Sequence, residues 1–138
     1  MTIHDDIRTI LTNARTIAMV GASDKPDRES YRVMEYLIAH GYRVIPVNPT
    51  VEQIQGQRSF PSLSAIPAKV DVVDIFRRPD AVPPIVDEAV AIGAPVVWMQ
   101  LEVINEAAAE TARNAGLRVV MDRCIKIEHQ RLIGSKGG

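Results

Sequence analysis

Apolar positions along the chain switch repeatedly between a helical spacing and short unbroken runs. Ile3, Ile7, Ile10, Leu11 and Ala14 share one helical face, and Thr2-Ile3-His4-Asp5 reads as a capping box with Thr2 as the cap. Residues 16–20 form a short β-prone run that stops at Gly21. Val33, Met34, Leu37 and Ile38 restore the helical stripe in a second helix, which Ser30 caps and Gly41 stops after His40. Residues 42–47 are the second strand, closed by Pro46 and Pro49. Residues 50–69 contain Gly56, Pro61 and Pro67 and read as a loop with a short helical turn. Residues 70–76 are the third strand. A helix follows from about Asp80, with Pro83 and Pro84 tolerable only in its first turn, and ends at Gly93. Residues 95–99 are the fourth strand, and Asn105 caps an Ala-rich helix that ends at Gly116. Residues 117–121 are the fifth strand, and Ile125, Ile127 and Leu132 suggest a last short helix.

Strands that alternate with helices imply parallel pairing and right-handed crossovers. The strands are nearly all apolar, as expected when helices cover both faces of a sheet. The expected fold is α/β: a Rossmann-like, doubly wound, five-stranded parallel sheet of order 3-2-1-4-5. It forms a single domain over residues 1–138, with 134–138 as a disordered tail. Ligands of such sheets bind outside the carboxyl ends of the strands, where the winding reverses. The expected order puts that crevice between strands one and four.

Composition narrows the partners. Lys and Arg number 16 against 17 Asp and Glu, a net charge of −1. That balance carries no footprint for nonspecific nucleic-acid or membrane-surface binding. Cys124 is the single cysteine, which excludes an intrachain disulfide and suits a reducing compartment. Asp5, Asp6 and Arg8 interrupt the first apolar stretch, so a signal peptide is not expected and the protein is placed in the cytoplasm. His4, His40 and His129 show no metal-ligand spacing. Asp71, Asp74 and Asp122 form no catalytic motif, and Asp74 is expected to be half-buried and paired. Ser23 lacks a Gly-x-Ser-x-Gly elbow.

The carboxyl-end rule selects Gly21-Ala22-Ser23, Asn48-Pro49, Phe76-Arg77-Arg78-Pro79, Met99-Gln100-Leu101 and Asp122-Arg123-Cys124. The first segment is small enough for backbone amides to approach a ligand, and the start of the next helix suits a phosphate. Lys25, Arg28 and Arg32 lie close by. A nicotinamide dinucleotide is the obvious candidate, but its fingerprint wants glycine where Ser23 and Pro26 stand, and an acid where Asn48 stands. Trp98 reads as a core residue.

Together, Gly21-Ala22-Ser23, Pro46-Val47-Asn48-Pro49, residues 72–77, Trp98-Met99-Gln100 and the Cys124 turn resemble the stand-alone CoA-binding domain family. That family is similar to the nucleotide-binding domain of the succinyl-CoA synthetase α subunit. The resemblance runs from about Arg8 to Leu132 and implies coenzyme A or acyl-CoA as ligand. It implies a binding module, without a catalytic residue of its own, that needs a partner enzyme for any ligase activity; a homodimer is also compatible. In this layout the Gly21-Ala22-Ser23 loop and the following helix hold the pyrophosphate, with Lys25 close by and Ser30 donating its hydroxyl. Arg28, Arg77 or Arg78 holds the 3′-phosphate through forked hydrogen bonds. Asn48 and Pro49 line the adenosine. Phe76 and Gln100 face the crevice. Cys124, beside Arg123 and a helix start, is placed to form a mixed disulfide with the CoA thiol. The alternative is an NAD(P)-binding redox protein or sensor that uses the same crevice.

Overall fold

The computed structural model describes residues 3–133, with side chains from residue 6 onward. The expected Thr2–Asp5 capping pair and the 134–138 tail lie outside the described residues. The elements run α1 (Ile3–Asn13), β1 (Thr16–Val20), α2 (Glu29–Ala39), β2 (Arg43–Val47), β3 (Gln53–Ile54), β4 (Gln57–Arg58), β5 (Val72–Ile75), α3 (Val82–Ala91), β6 (Val96–Met99), α4 (Glu106–Asn114), β7 (Arg118–Val120) and α5 (Ile125–Leu132). The α/β alternation and the five-stranded parallel sheet are as expected. Every strand of that sheet pairs in parallel. Ile7, Met34 and Ile125 bring α1, α2 and α5 onto one face, and Val86 and Ala109 bring α3 and α4 onto the other. No helix among the described residues is long and apolar enough to cross a membrane.

The strand order differs from the expectation. It is β2-β1-β5-β6-β7, so β2 is an edge and the winding reverses between β1 and β5. Counting only the sheet strands, this is 2-1-3-4-5 rather than 3-2-1-4-5. Pro46 supplies a physical reason. A proline inside a central strand removes a ladder hydrogen bond, so sheets confine it to their edges. The Pro46 carbonyl faces outward and accepts from the Phe60 amide at 3.0 Å. Among the described residues only a short chain segment at Phe60 bridges this flank. A further full strand there would need the donor that Pro46 lacks.

Two other local expectations change. The N-cap of α2 is Arg28, with no side-chain capping bond, and Ser30 lies buried inside the first turn. Residues 50–69 hold a small hairpin, β3 against β4, as well as the expected short helical turn. Its two-residue link, Gln55-Gly56, has positive φ at both positions, the geometry that matches strand twist in tight hairpins. Elsewhere the chemistry acts as read: the Asn105 side chain accepts from the Ala108 amide at 2.9 Å and starts α4, and Pro83 and Pro84 sit in the first turn of α3.

Candidate functional site

The carboxyl ends of β1, β5 and β6 carry Gly21, Phe76 and Gln100 as the residues just past each strand. Two cavities open there. One, of about 550 Å³, is lined by Gly21, Ser23, Lys25, Arg28, Ser30 and Asn48, among others. The other, of about 680 Å³, is lined by Arg77, Arg78, Gln100, Leu101, Cys124 and Ile127, among others. Glu29 and Phe76 line both, so the two adjoin as halves of one cleft, with Phe76 and Glu29 at the division between them.

Eleven of the thirteen candidate residues therefore meet in this cleft. Ala22, buried beneath the β1 loop, and Pro49, exposed beyond β2, line neither half. The structure also adds Asp24, Thr50, Val51, Glu102 and Val103 to the walls. Ile127 is the instructive omission. The buried stripe of α5 is Ile125, Glu128, His129 and Leu132, so Ile127 points away from the core and into the cleft. An apolar residue out of phase with its helix's buried face was the available signal.

Gly21 serves packing first. Its φ is +88°, and a Cβ at that position would stand 2.3 Å from the Phe76 carbonyl oxygen. Its amide donates to the Val47 carbonyl at 3.2 Å. It therefore sets how close the β1 loop lies to the Phe76 divider, while its own N–H is already taken. Asn48 ties two loops together: Nδ2 donates to the Ala22 carbonyl at 2.9 Å, and Oδ1 accepts from the Thr50 amide at 2.8 Å. Ser23 Oγ accepts from the Lys25 amide at 3.1 Å and shapes the turn before α2. The amides of Glu29 and Ser30, the first two of α2, have no partner among the described residues. Lys25, Arg28 and Arg77 are exposed and free of ion pairs among the described residues, whereas Arg32 is held by Glu29 at 3.0 Å. Arg78 stands 3.6 Å from Asp80, both well exposed. The polar half thus combines free amides at a helix start with unpaired cations, a setting for phosphate.

The apolar half is organised by Gln100, which is only 4% exposed. Its Oε1 accepts from the Ile125 amide at 3.1 Å. Because the Ile125 group is a donor, the oxygen of the carboxamide must face it. The Nε2 group is left without a partner among the described residues. Cys124, buried, is the N-cap residue of α5. The Trp98 indole donates to the Arg123 carbonyl at 2.8 Å, which fixes the turn that presents Cys124. Trp98 itself is core, as read. The Arg123 guanidinium is 3.7 Å from the buried Glu128 carboxylate, which also meets Arg131, so its charge is shared with an acid on α5.

One further expectation is corrected. Asp74 is fully buried and both its oxygens lack a partner among the described residues, rather than half-buried and paired. Burial pushes its carboxyl well above the usual carboxylate range. The flanking residues in register are Met19 and Trp98, which offer it no charge. His40 and His129, far apart in sequence, pack together at 5.1 Å between ring centroids, with Tyr36 Oη 2.7 Å from His129 Nδ1. Among the described residues no group of three or more histidine, cysteine or acidic side chains could hold a metal ion.

Residues 15–130 match the family described as CoA binding domain. The chain is 40% identical over 124 residues to the uncharacterized protein YneT of Bacillus subtilis strain 168, covering 90% of this chain and 92% of that one. It is 29% identical over 126 residues to the acetate–CoA ligase [ADP-forming] I subunit alpha of Pyrococcus furiosus; 80% of this chain matches, but only 27% of that subunit. The structure of a hypothetical protein from Pyrococcus horikoshii OT3 superposes with a TM-score of 0.94 at 46% identity, covering 96% of this chain and 94% of that chain.

Proposed function

Because the chain belongs to the CoA binding domain family, we propose that it binds coenzyme A or an acyl-CoA along the divided cleft. The observation that carries this reading is the division itself: a polar half beside the start of α2 and an apolar half beside Cys124, joined at Phe76 and Glu29. Coenzyme A has the same two-part character. Its phosphates need cations and free donors, which Lys25, Arg28 and the Glu29 and Ser30 amides offer. Its pantetheine arm carries amides and ends in sulfur. Gln100 Nε2 is a free donor for the arm, and Cys124 lines the cavity that receives its end. Arg77 and Arg78 lie on the far side of the divider, where a phosphate extending outward meets them.

The donor set favours this ligand over a nicotinamide dinucleotide. No acid ends β2 to grip ribose hydroxyls, and the Asn48 carboxamide is engaged by Ala22 and Thr50. Calorimetric titration with CoA, 3′-dephospho-CoA and NADH is the test. CoA is expected to bind tightest, with a loss when the 3′-phosphate is absent. Equal or tighter binding of NADH sinks the reading.

A second reading concerns Cys124, which is buried in the wall of the apolar half. There it exchanges with the disulfide form of CoA: the Cys124 thiolate attacks one sulfur, one CoA thiolate leaves, and a Cys124–CoA disulfide remains. Mass spectrometry without reductant is expected to show one CoA added, reversed by dithiothreitol. An unmodified protein after incubation with CoA disulfide counts against it.

A further inference from the structure

Leu101, Ile104 and Ile127 are the large apolar side chains most exposed among the described residues, at 56%, 46% and 51%. Leu101 and Ile127 are not scattered. Both line the apolar half of the cleft, where Phe76, Pro79 and Val103 extend the same wall. Exposed apolar residues gathered in a concavity mark a binding groove, whereas isolated ones carry no message. Ile127 lies three residues after Cys124 on α5, so the two share one helix flank.

The rim is also held in an unfavourable backbone conformation. Glu102, next to Leu101, has φ +70°, and Asp122 has φ +61°; neither is glycine. The Glu102 amide donates to Asp122 Oδ1 at 2.7 Å, so each left-handed turn fixes the other. Strain at two adjoining turns persists only where surrounding structure imposes it, and such places cluster at ligand sites. Here the strained pair sets the turn that keeps Leu101 on the cavity wall rather than in the core.

The pantetheine arm does not explain this wall. Its two amides want hydrogen-bond partners, and Leu101, Val103 and Ile127 offer none from their side chains. A hydrocarbon group attached to the sulfur does match it. Resting on the CoA reading above, we infer that the apolar half of the cleft selects acyl-CoA thioesters with an uncharged hydrocarbon acyl group. That group packs on Leu101, Val103 and Ile127. The buried Gln100 Nε2 carries two hydrogens, so that one serves the arm and the other donates to the thioester carbonyl.

The test is calorimetric titration of the full chain with CoA and with acetyl-, butyryl-, hexanoyl- and octanoyl-CoA, all below their micellar range. Affinity is expected to rise by about fourfold for each methylene buried, until the wall is covered. The heat-capacity change on binding is expected to grow more negative along the series. Leu101→Ser and Ile127→Ser are expected to flatten the slope. Both side chains are more than half exposed, so neither change threatens the core. Gln100→Leu is expected to weaken every thioester by a similar factor without altering the slope. CoA binding with an affinity that is flat or falls with chain length overturns this inference and leaves the CoA reading intact. Failure of CoA and all its thioesters to bind overturns both. A protein that self-associates through this wall, with Leu101→Ser restoring a monomer and no dependence on acyl length, overturns the inference in favour of a second copy as occupant.

Discussion

Replacing Asp74 with asparagine gives a sharp test of the buried sheet. The carboxyl sits in β5, central in the sheet, with Met19 and Trp98 in register on either side. Among the described residues neither oxygen has a hydrogen-bond partner. An aspartate in an unfolded chain ionises near about pH 3.9. Burial pushes the folded value well above that range, so the folded protein holds its proton more tightly. This contribution to stability is complete below the unfolded pKa. It is lost as pH rises toward the folded one, at about 1.36 kcal/mol per pH unit. Asparagine has the same shape and cannot ionise. The stability of Asp74→Asn relative to wild type should therefore climb by about 1.36 kcal/mol per unit from pH 5 upward, until the folded pKa is reached. Urea unfolding of both proteins at half-unit intervals between pH 4 and 8 measures the difference, and groups that titrate in both proteins cancel. A difference that is constant with pH would show Asp74 to be ionised and solvated, or paired, in the folded state, and the reasoning would be wrong.

Other substitutions probe the cleft and its supports. Gly21→Ala forces a Cβ toward the Phe76 carbonyl, 2.3 Å away, at a φ of +88°. A loss of roughly 2–4 kcal/mol in chemical denaturation is expected, combining overpacking with left-handed strain. Asn48→Ala removes the link between the Ala22 and Thr50 loops and is expected to destabilise by about 1–2 kcal/mol, measured the same way. Burial, then the neighbouring His40, lower the His129 pKa. Stability tied to neutral His129 is present above the unfolded value near about 6.5 and is lost as pH falls through the folded one. Thermal melts of His129→Phe should lack that acid-side decline. Arg28→Ala is expected to weaken CoA binding by about tenfold, the scale of one charge-assisted hydrogen bond, and to leave the melting temperature unchanged because the side chain is exposed and unpaired.

The sheet strands and the main helices were legible because their apolar runs and caps act locally. Asn105 is the clearest case, a residue whose side chain satisfies an amide three positions on. The carboxyl-end rule then located the cleft without knowledge of strand order, since each strand end contributes whichever neighbours it has. Strand order itself depends on edges, and the informative residue was Pro46, whose missing donor excludes a strand on that flank. The β3–β4 hairpin escaped because Gln55 carries no strong turn signal beside Gly56. Asp74 was misjudged because charge alone suggests pairing, while its row of the sheet is filled by Met19 and Trp98. His40 and His129 meet only through the packing of α2 against α5, a contact between residues far apart in the chain.

The hydrogen bond from the Trp98 indole to the Arg123 carbonyl has a practical result. This is the sole tryptophan in the chain, and its ring is sealed from solvent while its nitrogen touches the backbone next to Cys124. Indole emission is sensitive to the polarity and geometry of that contact. Occupation of the neighbouring cleft, or a change in the state of the thiol, becomes readable as a spectral shift, with no label attached and no residue altered.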